Sequence, residues 1–535
     1  MKTYTNPILF EDYSDPDVIR VGNLFYMTAS SFNYVPGLPL LVSADLVHWK
    51  LVNYAARSIP MPQFNTPRHA RGVWAPAIRY HNGRFIIVVG LPDEGIFVTE
   101  AEDPLAAWSD LRCVWKGSGF IDPCPLWDDD GKAYIVHAYA KSRCGVKSRL
   151  GIMSADPDTL VCSAESGTKP GTGGDRFIFD GTETQPTIEG PKIYKRDGFY
   201  YILAPAGGVK EGWQTALRSR NIYGPYEEKI VMQQGSAETN GPHQGGLVSD
   251  TDGSEWFLHF QWRGVYGRIV HLQPVSWKDN WPCMGTAVKS GVLPGEPVME
   301  YTLPSGKEAL PESAHIPGSF GLQWQWTANY DSTFWTLAPG KKTEQPDLAG
   351  TVLNVLNTAK SRDICLWKCS NILTQRINAP SVSVKAVVDV SRLSESGRTG
   401  ILLIGDQYGA VEVVKQGKKL TARYVESASE STNDGTSVTS DDVRLEKIAA
   451  QSESFVPDAD ILEFSLAFKN TGKFSAECSF SVGYTEHAHK KVWQPDVTPF
   501  VPDSGHWVGC RYGLYAAGSS AGSVQIIKTE ISKSE

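Results

Sequence analysis

The sequence predicts an all-β protein, a five-bladed β-propeller followed by a β-sandwich. Three observations predict it: the composition, a hairpin turn that recurs along the first half, and runs of alternating polarity in the second. The 535 residues include 16 Trp, 21 Tyr and 20 Phe beside 50 Gly and 33 Pro, a mixture that suits short strands and tight turns better than long helices. A chain of this length exceeds what one hydrophobic core normally holds, so two domains are expected.

The recurring turn comes first. Arg20-Val21-Gly22-Asn23, His81-Asn82-Gly83-Arg84, Asp129-Asp130-Gly131-Lys132, Arg196-Asp197-Gly198-Phe199 and Thr251-Asp252-Gly253-Ser254 each place Gly beside a polar turn residue between apolar or aromatic runs. Such pairs are strong hairpin signals. Their glycines are about 58 residues apart on average, an irregular period that implies one blade per copy with loops of varying length. A second element follows the hairpin at Ser43–Trp49, Ser154–Pro157, Ser219–Pro225 and, more loosely, Pro274–Trp277. These are read as turns between outer strands.

In a propeller the innermost strand of each blade borders the central channel, so residues a fixed distance before each hairpin converge there. Counting back roughly seven to ten residues from each turn glycine reaches Asp15, Trp74, Asp122, Glu189 and the pair His243-Gln244. Three carboxylates in one narrow channel repel one another and lose solvation, which raises their proton affinity. A purely structural protein gains nothing from that. Two carboxylates in different environments are what glycosidic cleavage needs, one protonated for the leaving oxygen and one ionised to activate water. Trp74 beside them suits the apolar face of a sugar.

These residues lie in motifs that carry a resemblance. Tyr13-Ser14-Asp15-Pro16-Asp17, Gly72-Val73-Trp74-Ala75-Pro76, Ile121-Asp122-Pro123 and Ile188-Glu189-Gly190-Pro191 resemble, in order and spacing, the motifs of glycoside hydrolase family 43. The likeness extends into the second half, where Phe320-Gly321-Leu322-Gln323-Trp324-Gln325-Trp326 resembles the opening of the sandwich in that family's β-xylosidases, which implies a sandwich of concanavalin or jelly-roll type. It implies Asp15 as general base, Asp122 as the residue that tunes and orients the acid, and Glu189 as general acid. It further implies that Arg268 holds substrate hydroxyls, that Phe32 walls the terminal sugar pocket, and that Trp507, in Gly505–Gly509, closes one side. His243 resembles a channel histidine that lies near a water or calcium ion and is counted among the substrate-binding residues. The first motif departs from the common Pro-Asp-Pro-Ser, which leaves Asp17 as an alternative base.

The resemblance implies single-displacement, inverting, exo-acting hydrolysis of β-1,4-xylo-oligosaccharides from the non-reducing end. α-L-Arabinofuranosidase activity on arabinose-substituted oligosaccharides, alone or beside xylosidase activity, is the alternative. A carbohydrate-binding propeller without catalysis would keep Trp74 and Arg268 but need no triad of acids. No cofactor is required by this chemistry, and a calcium near His243 would be structural or modulatory.

The remaining signals bound the reading. A net charge of −8 without a long basic run disfavours nucleic acid and anionic membranes as partners. Nine scattered cysteines and an N-terminus without an apolar leader point to a reduced, cytoplasmic setting. No run reaches the roughly 18 apolar residues of a membrane span. Assembly into a homo-oligomer is left open. Asp128-Asp129-Asp130-Gly131 lacks the ligand pattern of a calcium loop. Gly518–Gly522 fits a nucleophile elbow but no His follows it, and Cys365 and Cys369 lack a second ligand pair for zinc. Residues 304–318 read as a linker between a propeller at 1–303 and a sandwich at 319–535. Within the latter, Val382–Val388 and Ile461–Phe468 read as half-buried strands and Glu426–Asp441 as a surface loop.

Overall fold

The computed structural model describes residues 2–534 apart from 166, 168, 288–292, 305–309, 311–320, 331–332, 339–347, 358–364, 429–444, 453–459 and 505–506. Five four-strand antiparallel meanders form the first half. The first blade is Asp17–Val21, Leu24–Thr28, Gly37–Ser43 and Trp49–Ala56; the second is Trp74–His81, Arg84–Leu91, Gly95–Ala101 and Arg112–Lys116. The third is Phe120–Trp127, Ala133–Tyr139, Arg149–Ala155 and Arg176–Asp180; the fourth is Lys192–Arg196, Phe199–Ala206, Trp213–Ser219 and Glu227–Met232. The fifth is His243–Ser249, Glu255–Trp262, Arg268–Lys278 and Trp281–Met284.

Each expected hairpin glycine joins the first two strands of its blade, with φ between 62° at Gly22 and 85° at Gly253. A Cβ at Gly22, Gly83, Gly131 or Gly253 would meet nothing within 4 Å, so the left-handed backbone, not space, selects glycine there. The outer turns also fall where the repeat sets them, with one correction. Pro274–Trp277 lies inside the strand Arg268–Lys278, and the chain turns only at Asp279 and Asn280, both at positive φ.

The ring closes through the N-terminal segment. Thr3–Thr5 pairs with Glu300–Thr302, Leu9 bridges Val270, and the buried Asn6 amide group donates to the carbonyls of Leu272 and Val298 while its oxygen accepts the Leu272 amide. This segment delivers Asp12 and Asp15 to the channel.

The second half is two stacked sheets. In spatial order across one sheet lie Gln325–Trp326, Leu373–Arg376, Arg511–Gly518, Arg398–Ile404, Tyr408–Gln416, Lys419–Ala428 and Leu445–Gln451. The other has Trp335–Leu337, Thr351–Asn354, Ser523–Ser534, Ser381–Asp389, Ile461–Gly472, Ser475–Glu486 and His489–Trp493. Val382, Val384, Ala386 and Val388 are buried while Ser383 and Lys385 between them are exposed, the alternation of a half-buried strand. The expected loop at Glu426–Asp441 begins later than the sequence suggested, because Glu426 to Ala428 continue a strand; its part from 429 on, Phe320, and nearly all of the expected linker lie outside the described residues.

The two halves are packed together. Val265 and Tyr266 of the propeller belong to the sandwich core, and the Val265 amide donates to Phe474 while its carbonyl accepts from Cys510. Val35 and Trp326 exchange backbone hydrogen bonds across the seam. The nine cysteines are free thiols, and among the described residues no helix is long and apolar enough to cross a membrane.

Candidate active site

In every blade the chain enters the innermost strand through one residue in the left-handed region: Asp15 (φ 54°), Ala75 (42°), Asp122 (56°), Gly190 (59°) and Gln244 (37°). Proline follows the first four and Gly245 the fifth. Where register is interrupted, at Trp74/Ala77, Ile121/Cys124 and His243/Gly245, the entry is a β-bulge. A left-handed residue without glycine costs about 1–3 kcal/mol, and here it re-aims side chains into the channel. The positions reached by counting back from the hairpins therefore fall into two registers. Asp15, Asp122 and Gln244 are the left-handed residues themselves, whereas Trp74, Glu189 and His243 immediately precede theirs.

A cavity of about 850 Å³ opens at this point, within the range of small-ligand pockets. Asp15, Phe32, Trp74, Asp122, Glu189, Arg268 and Trp507 all line it. His243 does not. The bulge turns Gln244 into the cavity and leaves His243 fully buried, its Nε2 3.7 Å from Glu189 Oε1. Burial, then the nearby Arg268 charge, lowers the His243 pKa to about 3, so its ring is neutral. Both ring nitrogens lack a partner. Among the described residues no group of three or more His, Cys, Asp or Glu could hold a metal ion. A lone neutral imidazole does not fit the oxygen-rich donor set that calcium takes.

Asp15 is held at both oxygens. Arg268 Nη1 donates to Oδ1 at 2.8 Å and Ser30 Oγ donates to Oδ2 at 2.6 Å. Ser30 in turn accepts the amide of Ala75 at 2.6 Å, so its one proton is committed to Asp15. Asp17, the alternative base, lies outside the cavity lining. It is fully buried, and its Oδ2 accepts from the Ile78 amide at 2.9 Å and Arg79 Nη1 at 2.7 Å, clamping the first blade to the second. The left-handed turn at Asp15 breaks the strand alternation that would have put both acids on one face.

Asp122 Oδ2 accepts the Gly190 amide at 2.7 Å, which sets the two acids of the third and fourth blades one peptide apart. Burial, then the charge of Asp15, pushes Asp122 up to about 7. For Glu189 burial in the channel, then the charge of Asp122, pushes the carboxyl up to about 8. Its side chain is 36% exposed where it opens on the cavity, so solvent there screens part of an effect whose direction is upward.

The aromatic walls are built from three separate stretches. Phe32 and Val73 exchange backbone hydrogen bonds at 3.0 Å, and a Cβ at Gly72 would stand 2.2 Å from the Phe32 carbonyl. Only glycine permits that approach. Trp74 packs edge-on against Trp507 with centroids 4.9 Å apart. Trp507 comes from the sandwich; Gly505 and His506 of the same stretch lie outside the described residues. Its loop is tied down by Asp12, whose Oδ2 accepts the Gly509 amide and Oδ1 the Arg268 amide, each at 2.9 Å.

Trp74 Nε1, Gln244 Nε2 and Arg268 Nε are buried donors with no protein partner. All three residues line the cavity. Buried donors are normally satisfied, and a ligand rich in hydroxyl oxygens would satisfy these. Sequence reasoning missed Ser30 and Asp12, and of the pair His243-Gln244 it gave the site role to His243 where Gln244 lines the cavity.

Comparisons with known proteins bear on the family and the fold. The family model for glycosyl hydrolases family 43 matches residues 4–282, and that for the beta xylosidase C-terminal concanavalin A-like domain matches residues 317–526. A putative beta-xylosidase of Xylanibacter ruminicola is 42% identical over 344 residues, which cover 63% of this chain and 61% of that protein. The chain thus spans less than two thirds of that relative. A beta-xylosidase of Formosa agariphila is 28% identical, with 96% of this chain and 87% of the other aligned. A non-reducing end alpha-L-arabinofuranosidase of Bacteroides ovatus is 33% identical over 66% of each. Among solved structures, an engineered family 43 enzyme described as displaying both endo-xylanase and exo-arabinofuranosidase activity superposes with a TM-score of 0.77 at 24% identity, covering 100% of this chain and 99% of its own. That likeness shows a common fold. With a propeller model and a sandwich model matched in the expected order, the chain belongs to glycosyl hydrolase family 43.

Proposed function

We propose that the protein is an inverting, exo-acting β-xylosidase that removes xylose from the non-reducing end of β-1,4-xylo-oligosaccharides. The observation that carries this is the pair Asp15 and Glu189 in one cavity but in opposite surroundings. Asp15 has a guanidinium and a hydroxyl donating to its oxygens; Glu189 has burial and a second acid holding its proton. In this reading Glu189 protonates the glycosidic oxygen while Asp15 takes a proton from the water that attacks the anomeric carbon from the opposite face. Asp122 keeps Glu189 protonated and, through the Gly190 amide, oriented. Arg268 both anchors Asp15 and offers Nε to substrate.

α-L-Arabinofuranosidase activity is the second reading, favoured by relatives named for it or for both activities. Rates on aryl xyloside and aryl arabinofuranoside measured side by side separate the two.

Leaving-group chemistry tests the roles, because a general acid matters less when the departing group is already a stable anion. Glu189→Ala is expected to lose most of its rate on xylobiose and much less on a nitrophenyl xyloside. Asp15→Ala is expected to be crippled on both. Equal losses on the two substrates for folded Glu189→Ala would remove it from the acid role.

A further inference from the structure

The cavity mouth carries positive charge that cleavage of a neutral pentose chain leaves unused. Lys141 and Lys147 line the same cavity as Glu189, on the connection that follows the strand Ala133–Tyr139. The position of Lys147 is set by its neighbour. Ser148 is buried with φ 60°, its Oγ accepts the Thr187 amide at 2.8 Å, and its carbonyl accepts the Gly181 amide at 2.9 Å. Lys147 is thereby fixed beside the segment that presents Glu189, close enough for its charge to be felt there.

The other cations nearby have protein partners. Arg143 pairs with Asp93 and lies over the Trp74 ring at 5.5 Å, and Arg268 pairs with Asp15. Lys141 and Lys147 are exposed, and among the described residues neither has a carboxylate in ion-pair range. With Glu189 protonated and Asp15 matched by Arg268, the cavity holds two ammonium groups against one carboxyl group, Asp122, in a chain of net charge −8. This local reversal attracts anions. A general acid faces the oxygen that departs, so groups beside it border the leaving-group sugar, not the sugar that is released.

We propose that Lys141 and Lys147 form an anion-recognising leaving-group subsite, selecting oligosaccharides whose sugar next to the scissile bond carries a uronic acid. The assignment rests on the glycosidase reading of the cavity. Lysine suits the task, because a flexible stem with a compact charge follows a branch carboxylate over several positions without demanding bidentate geometry.

The test compares xylobiose with xylobiose bearing a glucuronic acid on its reducing-end xylose. In wild-type enzyme at low salt the acidic substrate is expected to have the higher kcat/KM by about three- to tenfold, the yield of two exposed ion pairs. Salt of roughly 0.5 M should erase the advantage. Lys141→Gln/Lys147→Gln should bring the acidic-to-neutral ratio to about one. A ratio insensitive to both salt and the double substitution overturns the subsite. If the lysines serve only to balance the channel acids, Lys147→Gln changes both substrates alike and the ratio stays put, which also overturns it. Calorimetry on Glu189→Gln separates failure of the subsite from failure of the glycosidase reading. Tighter binding of the acidic disaccharide, lost with the lysines, upholds the subsite even without turnover, and equal binding rejects it.

Discussion

Replacing Asp122 by Asn removes a charge while keeping an oxygen for the Gly190 amide. Asp122 Oδ2 lies 2.7 Å from the nitrogen of Gly190, the residue that follows Glu189, and its charge is felt at the Glu189 carboxyl. At an effective dielectric near 20 a unit charge at about 6 Å is worth ~3 kcal/mol, or ~2 pKa units. Asp122, pushed up to about 7, is mostly ionised as Glu189 titrates, but solvent reaches the 36% exposed Glu189 side chain and screens part of that charge. The working figure is a fall of about one unit. Glu189 must be protonated to donate, so the alkaline limb of kcat/KM for xylobiose should move down from about 8 toward neutrality. The loss should grow above neutral pH and shrink in acid. The assay is kcat/KM from about pH 4 to about pH 10, with circular dichroism to show the variant folded. An alkaline limb that stays in place or moves up would refute the charge coupling between the two acids.

Three further outcomes follow from the same geometry. Ser30→Ala deletes a hydrogen bond to a charged group, worth about 1.5–3 kcal/mol, and kcat should fall tenfold or more with KM nearly unchanged; steady-state kinetics on xylobiose check this, and a normal kcat would show that Arg268 alone positions Asp15. Trp507→Ala removes an aromatic contact worth roughly 0.5–1.5 kcal/mol and should raise KM several-fold with little change in kcat; an unchanged KM would make the sandwich a support only. Prolonged chelation should leave activity in place, and a complete loss restored by added calcium would assign an ion to the His243 side of the channel.

Much of the fold was legible because its signals are local. A hairpin that needs φ near 62–85° announces itself through Gly22, Gly83, Gly131, Gly198 and Gly253, and a half-buried strand through the alternation of Val382–Val388. Pro274–Trp277 misled because it copies the composition of a turn within a long strand. The acids were legible through their phase with the hairpins, but the phase carried an error of one residue. A left-handed residue in each blade separates Asp15, Asp122 and Gln244 from Trp74, Glu189 and His243, and no residue pattern other than the following Pro or Gly marks it. That one-residue step withdrew His243 from the cavity and supplied Gln244.

What stayed hidden depends on partners far along the chain. Ser30 matters because Ala75, 45 residues on, takes its lone pair and leaves its proton to Asp15. Asp12 matters because Gly509, 497 residues away, brings Trp507 to the cavity. Neither residue has a local signature. Asp17, by contrast, has the sequence context of a catalytic acid and the surroundings of a clamp, with the Ile78 amide and Arg79 filling its Oδ2.

The opposed environments of Asp15 and Glu189 imply a single displacement, and the configuration of the freshly released sugar tests it most directly. Proton NMR of xylobiose hydrolysis, recorded before mutarotation equilibrates the anomers, should show α-xylose appearing first from the non-reducing residue. Initial release of β-xylose would require a covalent intermediate and two displacements, and would contradict the roles of Asp15 as base and Glu189 as acid.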